Sequence, residues 1–322
     1  MRYLEVGGVS VSKIGVGAWQ FGSREWGYGE AYAGSEAGRI VQRALDLGAN
    51  FLDTAEVYGL GRSERIVGQA IAGRRQDAFV ATKLAPVFPV PAFVEWRGKE
   101  SARRLGVDAI DLYQIHQPNP TVPLRAQMEG MRRLVRAGVV RHVGVSNFSL
   151  ARWQASEAAF GDPVLSNQVR FSLVDRRPLK DLVPWAAAQD RMIIAYSPLG
   201  QGLLSARYDA TNAPQKGVRA MNPLFLPDNL ARAQRLLEAL REIAKNHDAT
   251  PAQVALAWVV RRPNVIAIPG ASSVEQLERN VAAADLDLSE DEDRRLTEEA
   301  EAFTPVVGPA AAPKLVRRRL HV

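Results

Sequence analysis

An α/β fold, a (β/α)8 TIM barrel with an N-terminal β-hairpin in front of it and extra helices at its C-terminal end, is what this sequence predicts. Three observations carry that prediction. Eight short apolar runs recur along the chain, each followed by at least one amphipathic helical stretch. Strands that alternate with helices pair in parallel, because the helix supplies the crossover. Eight such units suit a closed barrel better than the open doubly wound sheet that the same alternation also builds. No Gly/Ser-rich linker interrupts the beat, so residues 1–322 read as one domain.

Taken in order, residues 2–13 alternate in polarity around Gly7-Gly8 and read as the hairpin. Residues 14–19 form the first buried strand. Its Gly15-Val16-Gly17-Ala18-Trp19-Gln20 opens like a dinucleotide fingerprint, but Gln20 stands at the third glycine position and no helix starts there, so that motif is rejected. Helices over 35–47, 64–72, 92–105, 124–137, 150–159 and 179–189 then alternate with strands over 51–52, 78–82, 109–115, 142–145, 164–169 and 192–196. Ser63 stands where it would N-cap the helix starting at Glu64. Helices over 228–246 and 251–260 come next, the second with Thr250 as N-cap and Pro251 at its first position. A last strand covers 265–268, and helices over 274–284 and 290–302 follow it. The longest irregular stretch, 200–227, is rich in Gly, Pro, Asn and Ser, and a loop of that length inside a compact domain is expected to be functional. The tail from Thr304, Pro/Ala-rich without helical periodicity, is expected to lie over the same face.

Composition narrows the function. Hydrophobic residues make up 47% of the chain and charged residues 24%, an ordinary globular balance. The absence of cysteine excludes a disulfide scaffold, a cysteine nucleophile and thiolate metal sites. The N-terminus lacks a signal-peptide core and no run of 18 apolar residues follows, so a soluble, cytoplasmic protein without membrane contact is expected. The net charge of +6 comes from 41 basic and 35 acidic residues scattered along the chain, with one cluster at Arg317, Arg318 and Arg319. A nucleic-acid reader would gather its cations on one face of a recognisable module, so no nucleic-acid partner is expected. A mild positive bias suits attraction of a phosphorylated small molecule. Nothing in the sequence sets an oligomeric state.

Chemistry concentrates at 52–65, LDTAEVYGLGRSER. Asp53 stands where a strand stops, and Tyr58 follows five residues later in a glycine-punctuated turn. The next strand ends in Lys83 and the one after it in His116. In a barrel these C-terminal strand ends converge on one mouth. A lysine closing the apolar run Phe79-Val80-Ala81-Thr82 needs a partner, and Asp53 on the neighbouring strand supplies it. A free tyrosine has a pKa of about 10 and is a reluctant acid at neutral pH; an ammonium held against the phenol is expected to lower that value. A histidine beside it can hydrogen-bond a carbonyl oxygen. Together these groups make a site for protonating an oxyanion as hydride adds to C=O.

In family order, GAWQFG, FLDTAEVYGLGRSE, ATK, LGVDAIDLYQIH, GVSNFS, NQVRFS, AYSPLGQGLLS and IPGASSVEQLERN resemble the motifs of the aldo-keto reductases, over about residues 4–288. The resemblance implies an NADP(H)-binding TIM barrel without a Rossmann fold, with NAD(H) as the alternative cofactor, and a small-molecule carbonyl substrate. It implies Tyr58 as general acid, Lys83 and Asp53 as its tuning pair, and His116 as the group orienting the carbonyl. It further implies Ser146, Asn147 and Gln168 at the nicotinamide carboxamide, Tyr196 stacked on the nicotinamide ring, Ser197 and Leu199 at the pyrophosphate, and Gly270, Ser272, Gln276 and Asn280 at the adenosine end. Trp19, Trp26, Tyr28 and Phe88 are expected to make the substrate pocket apolar and aromatic. Relatives usually hold the 2′-phosphate with Arg or Lys, whereas this chain has Ser272, Ser273 and Gln276, with Arg279 the nearest cation. The short, proline-rich LAPVFPVPAF segment departs from the family's rim loop as well. Two other readings compete: a cofactor-binding subunit like the β subunits of potassium channels, against which the intact tetrad argues, and a metal-dependent barrel hydrolase, against which the spacing of the four histidines argues.

Overall fold

The structure, a computed structural model, describes residues 1–22, 35–214 and 217–313. The hairpin is present: β1 (Tyr3–Val6) and β2 (Val9–Ser12) pair antiparallel, with Tyr3 opposite Ser12. The barrel strands are β3 (Val16–Gly17), β4 (Phe51–Asp53), β5 (Phe79–Leu84), β6 (Ile110–Ile115), β7 (Val140–Ser146), β8 (Ser166–Arg170), β9 (Met192–Tyr196) and β10 (Val265–Ala267). All eight are parallel and neighbour one another in chain order. The ring closes where Ile14 bridges to Ala267, with Gly15 N donating to Ala267 O (2.8 Å) and Ala267 N to Lys13 O (2.9 Å).

This closure explains the two glycines of the rejected fingerprint. A Cβ at Gly15 would lie 2.6 Å from the Phe51 carbonyl oxygen, and one at Gly17 would lie 2.6 Å from that of Ile268. They let backbones approach inside the barrel wall, and no helix N-terminus follows them.

Between the strands run α1 (Ala37–Asp46), α2 (Arg62–Ala70), α3 (Pro91–Leu105), α4 (Leu124–Arg136), α5 (Leu150–Phe160), α6 (Leu182–Ala188), the short α7 (Gly217–Ala220), α8 (Pro227–Asn246) and α9 (Pro251–Val260), with α10 (Val274–Ala282) and α11 (Glu290–Ala302) after β10. Each turns an apolar stripe to the barrel; α1, for example, buries Ile40, Val41, Ala44 and Leu45. Thr250 caps α9 in a capping box with Gln253, as its sequence predicts.

Three expectations need correction. Ser63 does not cap α2; the cap is Gly61, left-handed at φ 80°, and Ser63 lies buried within the helix. There it accepts from Thr54 Oγ1 (2.8 Å) and donates to Ala18 O (2.8 Å), because burial between two loops offers it closer partners than the helix end does. The 200–227 stretch is not wholly irregular: 3₁₀ turns at Gly200–Ser205 and Pro223–Phe225 flank α7. The tail at Val306 is tied to Asn229 of α8 by two hydrogen bonds of 2.8 and 2.9 Å, so its described part anchors on a helix start.

The strand period of two positions the site. Inward-facing Phe51, Phe79, Ala81, Leu112, Leu165, Met192, Ile194 and Ile266 pack with Leu4, Val6 and Val11 of the hairpin, which plugs the N-terminal end. Burying each large apolar side chain stabilises by about 1.5–3 kcal/mol. Two residues further along the same inward rows come Asp53, Lys83, Gln114 and, on β9, Tyr196. The barrel is therefore apolar at its base and polar at its mouth.

Candidate active site

At the mouth, Lys83 is fully buried and donates three ways: to Asp53 Oδ1 (2.6 Å), Thr54 O (2.7 Å) and Tyr58 Oη (3.2 Å). Its Nζ also lies 4.8 Å from the Tyr58 ring centroid. Gln168 Nε2 donates to the other Asp53 oxygen at 2.7 Å. The His116 ring meets the Tyr58 ring edge-on at 5.8 Å, and Trp19 lies 6.4 Å from it on another side. The four groups expected to form the proton site come together.

Their electrostatics follow from burial. Burial works against the Lys83 ammonium, but Asp53 and Tyr58 outweigh it and its pKa rises. Burial raises Asp53, opposed by Lys83, Gln168 and Gln114. The two directions disagree on the charge of the pair, and the hydrogen bonds decide it: both Asp53 oxygens accept from N–H donors, which is the arrangement of a carboxylate. For Tyr58 the expected downward shift does not hold. Its hydroxyl is enclosed, burial raises its pKa, and Lys83 only partly offsets that rise. His116 is lowered to about 3 by burial and by the Lys83 charge, so its imidazole is neutral at any ordinary pH.

The residues expected to hold a cofactor are wired to this centre. Tyr196 OH donates to Asn147 Oδ1 (3.0 Å), and Asn147 Nδ2 donates to Ser146 Oγ (3.0 Å) and to His116 O (3.4 Å). Ser146 Oγ donates to Gln168 O (2.9 Å), and Gln168 reaches Asp53. One unbroken string thus runs from Tyr196 to Tyr58. Asn147 and Ser197 sit at φ 61° and 50°, a backbone cost of the kind that concentrates at ligand sites.

A single cavity of about 920 Å³ joins these stations. Asp53, Tyr58, His116 and Trp19 line one end; Ser146, Asn147, Gln168, Tyr196, Ser197 and Leu199 line the middle; Gly270, Ser272 and Gln276 line the far end. Asn280 lies behind it, its Nδ2 donating to Gly270 O (3.4 Å). Phe88 is off the cavity and 71% exposed, because its left-handed backbone (φ 43°) turns the rim loop outward. Trp26 and Tyr28 lie outside the described residues. Ser273 caps α10 by accepting from Gln276 N (3.2 Å) and does not line the cavity. Arg279 pairs with Glu275 at 3.0 Å.

Three contributors escape the sequence reading. Gln20 lines the cavity and donates to Ala271 O at 3.0 Å; its place in GAWQFG was visible, its contact was not. Arg219, on α7 within the 200–227 stretch, lines the cavity and donates to Gln201 O at 2.8 Å. Gln114, opposite Lys83 in register and buried, accepts from Ser166 Oγ at 3.4 Å; mid-strand polar residues carry no signal without the inward row. Among the described residues no group of three or more His, Asp or Glu could hold a metal ion. No helix among them is long and apolar enough to cross a membrane.

Comparison with known proteins agrees with this geometry. The Aldo/keto reductase family model matches residues 13–301. The chain is 55% identical over 321 residues to an uncharacterized oxidoreductase of Mycobacterium tuberculosis, covering 99% of each chain. It is 30% identical to an aldo/keto reductase from Klebsiella pneumoniae solved in complex with NADP and acetate, covering 95% of this chain and 96% of that one with a TM-score of 0.76. It is 28% identical to a glycerol dehydrogenase from Gluconobacter oxydans, covering 95% and 98% with a TM-score of 0.85. The chain belongs to the aldo/keto reductase family and is an oxidoreductase.

Proposed function

We propose that this chain is an NAD(P)H-dependent reductase of aldehydes or ketones, reversible towards alcohol oxidation, with NADP(H) the preferred cofactor. The observation that carries the reading is the Lys83 ammonium held at once against Asp53 and the Tyr58 hydroxyl at the wall of the cavity. The residues present fit a dinucleotide. One cavity spans from Tyr58 to Ser272, and its middle has a turn where Gly202, at φ 102°, leaves room that a Cβ would take 3.3 Å from Arg219 Nε. Ser197, Leu199 and Arg219 would hold the phosphates there, Tyr196 would stack on the nicotinamide, Asn147 and the free side of Gln168 would hold its amide, and Ser272 and Gln276 would hold the adenosine. When bound, the cofactor supplies hydride; everything else is done by the chain.

A carbonyl oxygen held between Tyr58 Oη and His116 receives the Tyr58 proton as negative charge develops on it. The burial that raises Tyr58 keeps the proton on the phenol until then. Lys83 stabilises the phenolate left behind, and Asp53 and Gln168 keep Lys83 charged and in place. Neutral His116 donates one N–H to the same oxygen without giving up a proton. In oxidation the same groups run in reverse.

The test is a screen of aldehydes, ketones and sugars with NADPH, followed at the nicotinamide absorbance. Turnover by the wild type is expected. Tight NADPH binding without turnover of any carbonyl would favour a cofactor-binding subunit instead.

A further inference from the structure

We infer that Glu36 is a cofactor-selectivity residue, whose carboxylate opposes the 2′-phosphate of NADP(H) at the first turn of α10 and keeps the site open to NAD(H). The inference rests on the function proposed above, which puts the adenosine at Ser272 and Gln276.

Glu36 stands at the entry to α1, and its Oε1 accepts from Val274 N, the first residue of α10, at 3.2 Å. The two residues are 238 positions apart, so this is tertiary placement of a carboxylate on a helix start. A helix N-terminus carries partial positive charge and free amides, which favour an anion. Here the chain's own groups take them. Glu36 holds the Val274 amide, Ser273 Oγ holds that of Gln276, and Gln276 Oε1 accepts from both the Ser272 amide (2.8 Å) and the Ser272 hydroxyl (2.7 Å). Glu275 adds a second carboxylate to the first turn.

The cations of this corner leave no surplus. Arg39 pairs with Glu36, Arg43 Nε with Glu278 (2.8 Å) and Arg279 with Glu275 (3.0 Å). A phosphomonoester carrying close to two negative charges would therefore meet three arginines already matched by three glutamates, one of them on the helix start. A ribose 2′-hydroxyl meets the same corner without penalty and can donate to a carboxylate.

The test is direct binding of NADPH and NADH to the full-length protein, read as quenching of tryptophan fluorescence, in wild type and Glu36→Gln. Glutamine keeps an oxygen for the Val274 amide and removes only the charge. NADPH should tighten about tenfold and NADH change by less than about twofold. A second variant, Arg39→Gln on the exposed surface, strips Glu36 of its counter-charge and should weaken NADPH while leaving NADH alone. Unchanged constants for both variants, or equal shifts for the two nucleotides, would overturn the inference alone. Wild-type protein that binds neither nucleotide would overturn the proposed function and the inference with it.

Discussion

At the Tyr58 end of the cavity the polar groups ride on strand ends of the barrel, and each is fixed by a buried partner: Lys83 by Asp53, Asp53 by Gln168, Asn147 by Tyr196. At the Ser272 end the groups sit on a turn, a helix start and α7, and their partners are half-exposed arginines and glutamates. Charge at the first end acts in a water-poor wall and is worth several kcal/mol; charge at the second is screened and worth less. The first end is thus suited to performing a reaction and the second to choosing among ligands, within one cavity.

The largest effect that would break this division is at Tyr58. Tyr58→Phe should lower kcat by about 10²–10⁴-fold with the NADPH dissociation constant unchanged; activity within tenfold of wild type would place the acid elsewhere. Next comes the buried pair. Lys83→Met or Asp53→Asn should each cost about 3–5 kcal/mol in chemical denaturation, and the double variant less than the sum. Simple additivity would show that the two charges do not depend on each other. Lys83→Met should also move the alkaline limb of the pH–rate profile upward, since Lys83 is the charge that pulls the Tyr58 pKa down.

A substitution at the other end sharpens the contrast. Ser272→Arg puts a cation on the cavity wall, and one charge-assisted hydrogen bond should raise the NADPH-over-NADH ratio of dissociation constants by roughly ten- to a hundredfold without touching kcat. A comparable loss of kcat would mean that the ends are not separable.

The smallest effect is His116. It stays neutral in the folded protein down to pH about 3 but protonates near 6.5 when unfolded. Between those values the unfolded chain binds the extra proton, so stability falls as pH falls, by up to about 1.4 kcal/mol per pH unit from this group. Compared with His116→Asn, the wild type should lose stability more steeply below pH 6.5 and equally above it. Parallel curves would show an exposed imidazole.

The sequence reading succeeds where periodicity carries the information. The β5 run Phe79 to Lys83 alternates faces, so Lys83 inherits the inward direction of Phe79 and Ala81, and its need for Asp53 follows from burial alone. It fails where the contact is remote or the environment decides the sign. Glu36 and Val274, or Gln20 and Ala271, carry no local signal of their pairing across more than 200 positions. Arg219 sat in a stretch whose composition announced a loop but not its direction. Ser63 had the pattern of a cap, and tertiary partners overrode it. Tyr58 was assigned the right neighbour and the wrong net shift, because the extent of enclosure cannot be read from residue types.

The enclosure of Lys83 has a practical consequence for anyone handling the protein. Its amine has no solvent exposure, whereas Lys99 on α3 is half-exposed. An amine-directed acylating reagent will modify Lys99 in the native state and reach Lys83 only when the barrel mouth comes apart. With reagent in excess, the rate at which Lys83 is labelled becomes a clock for that opening.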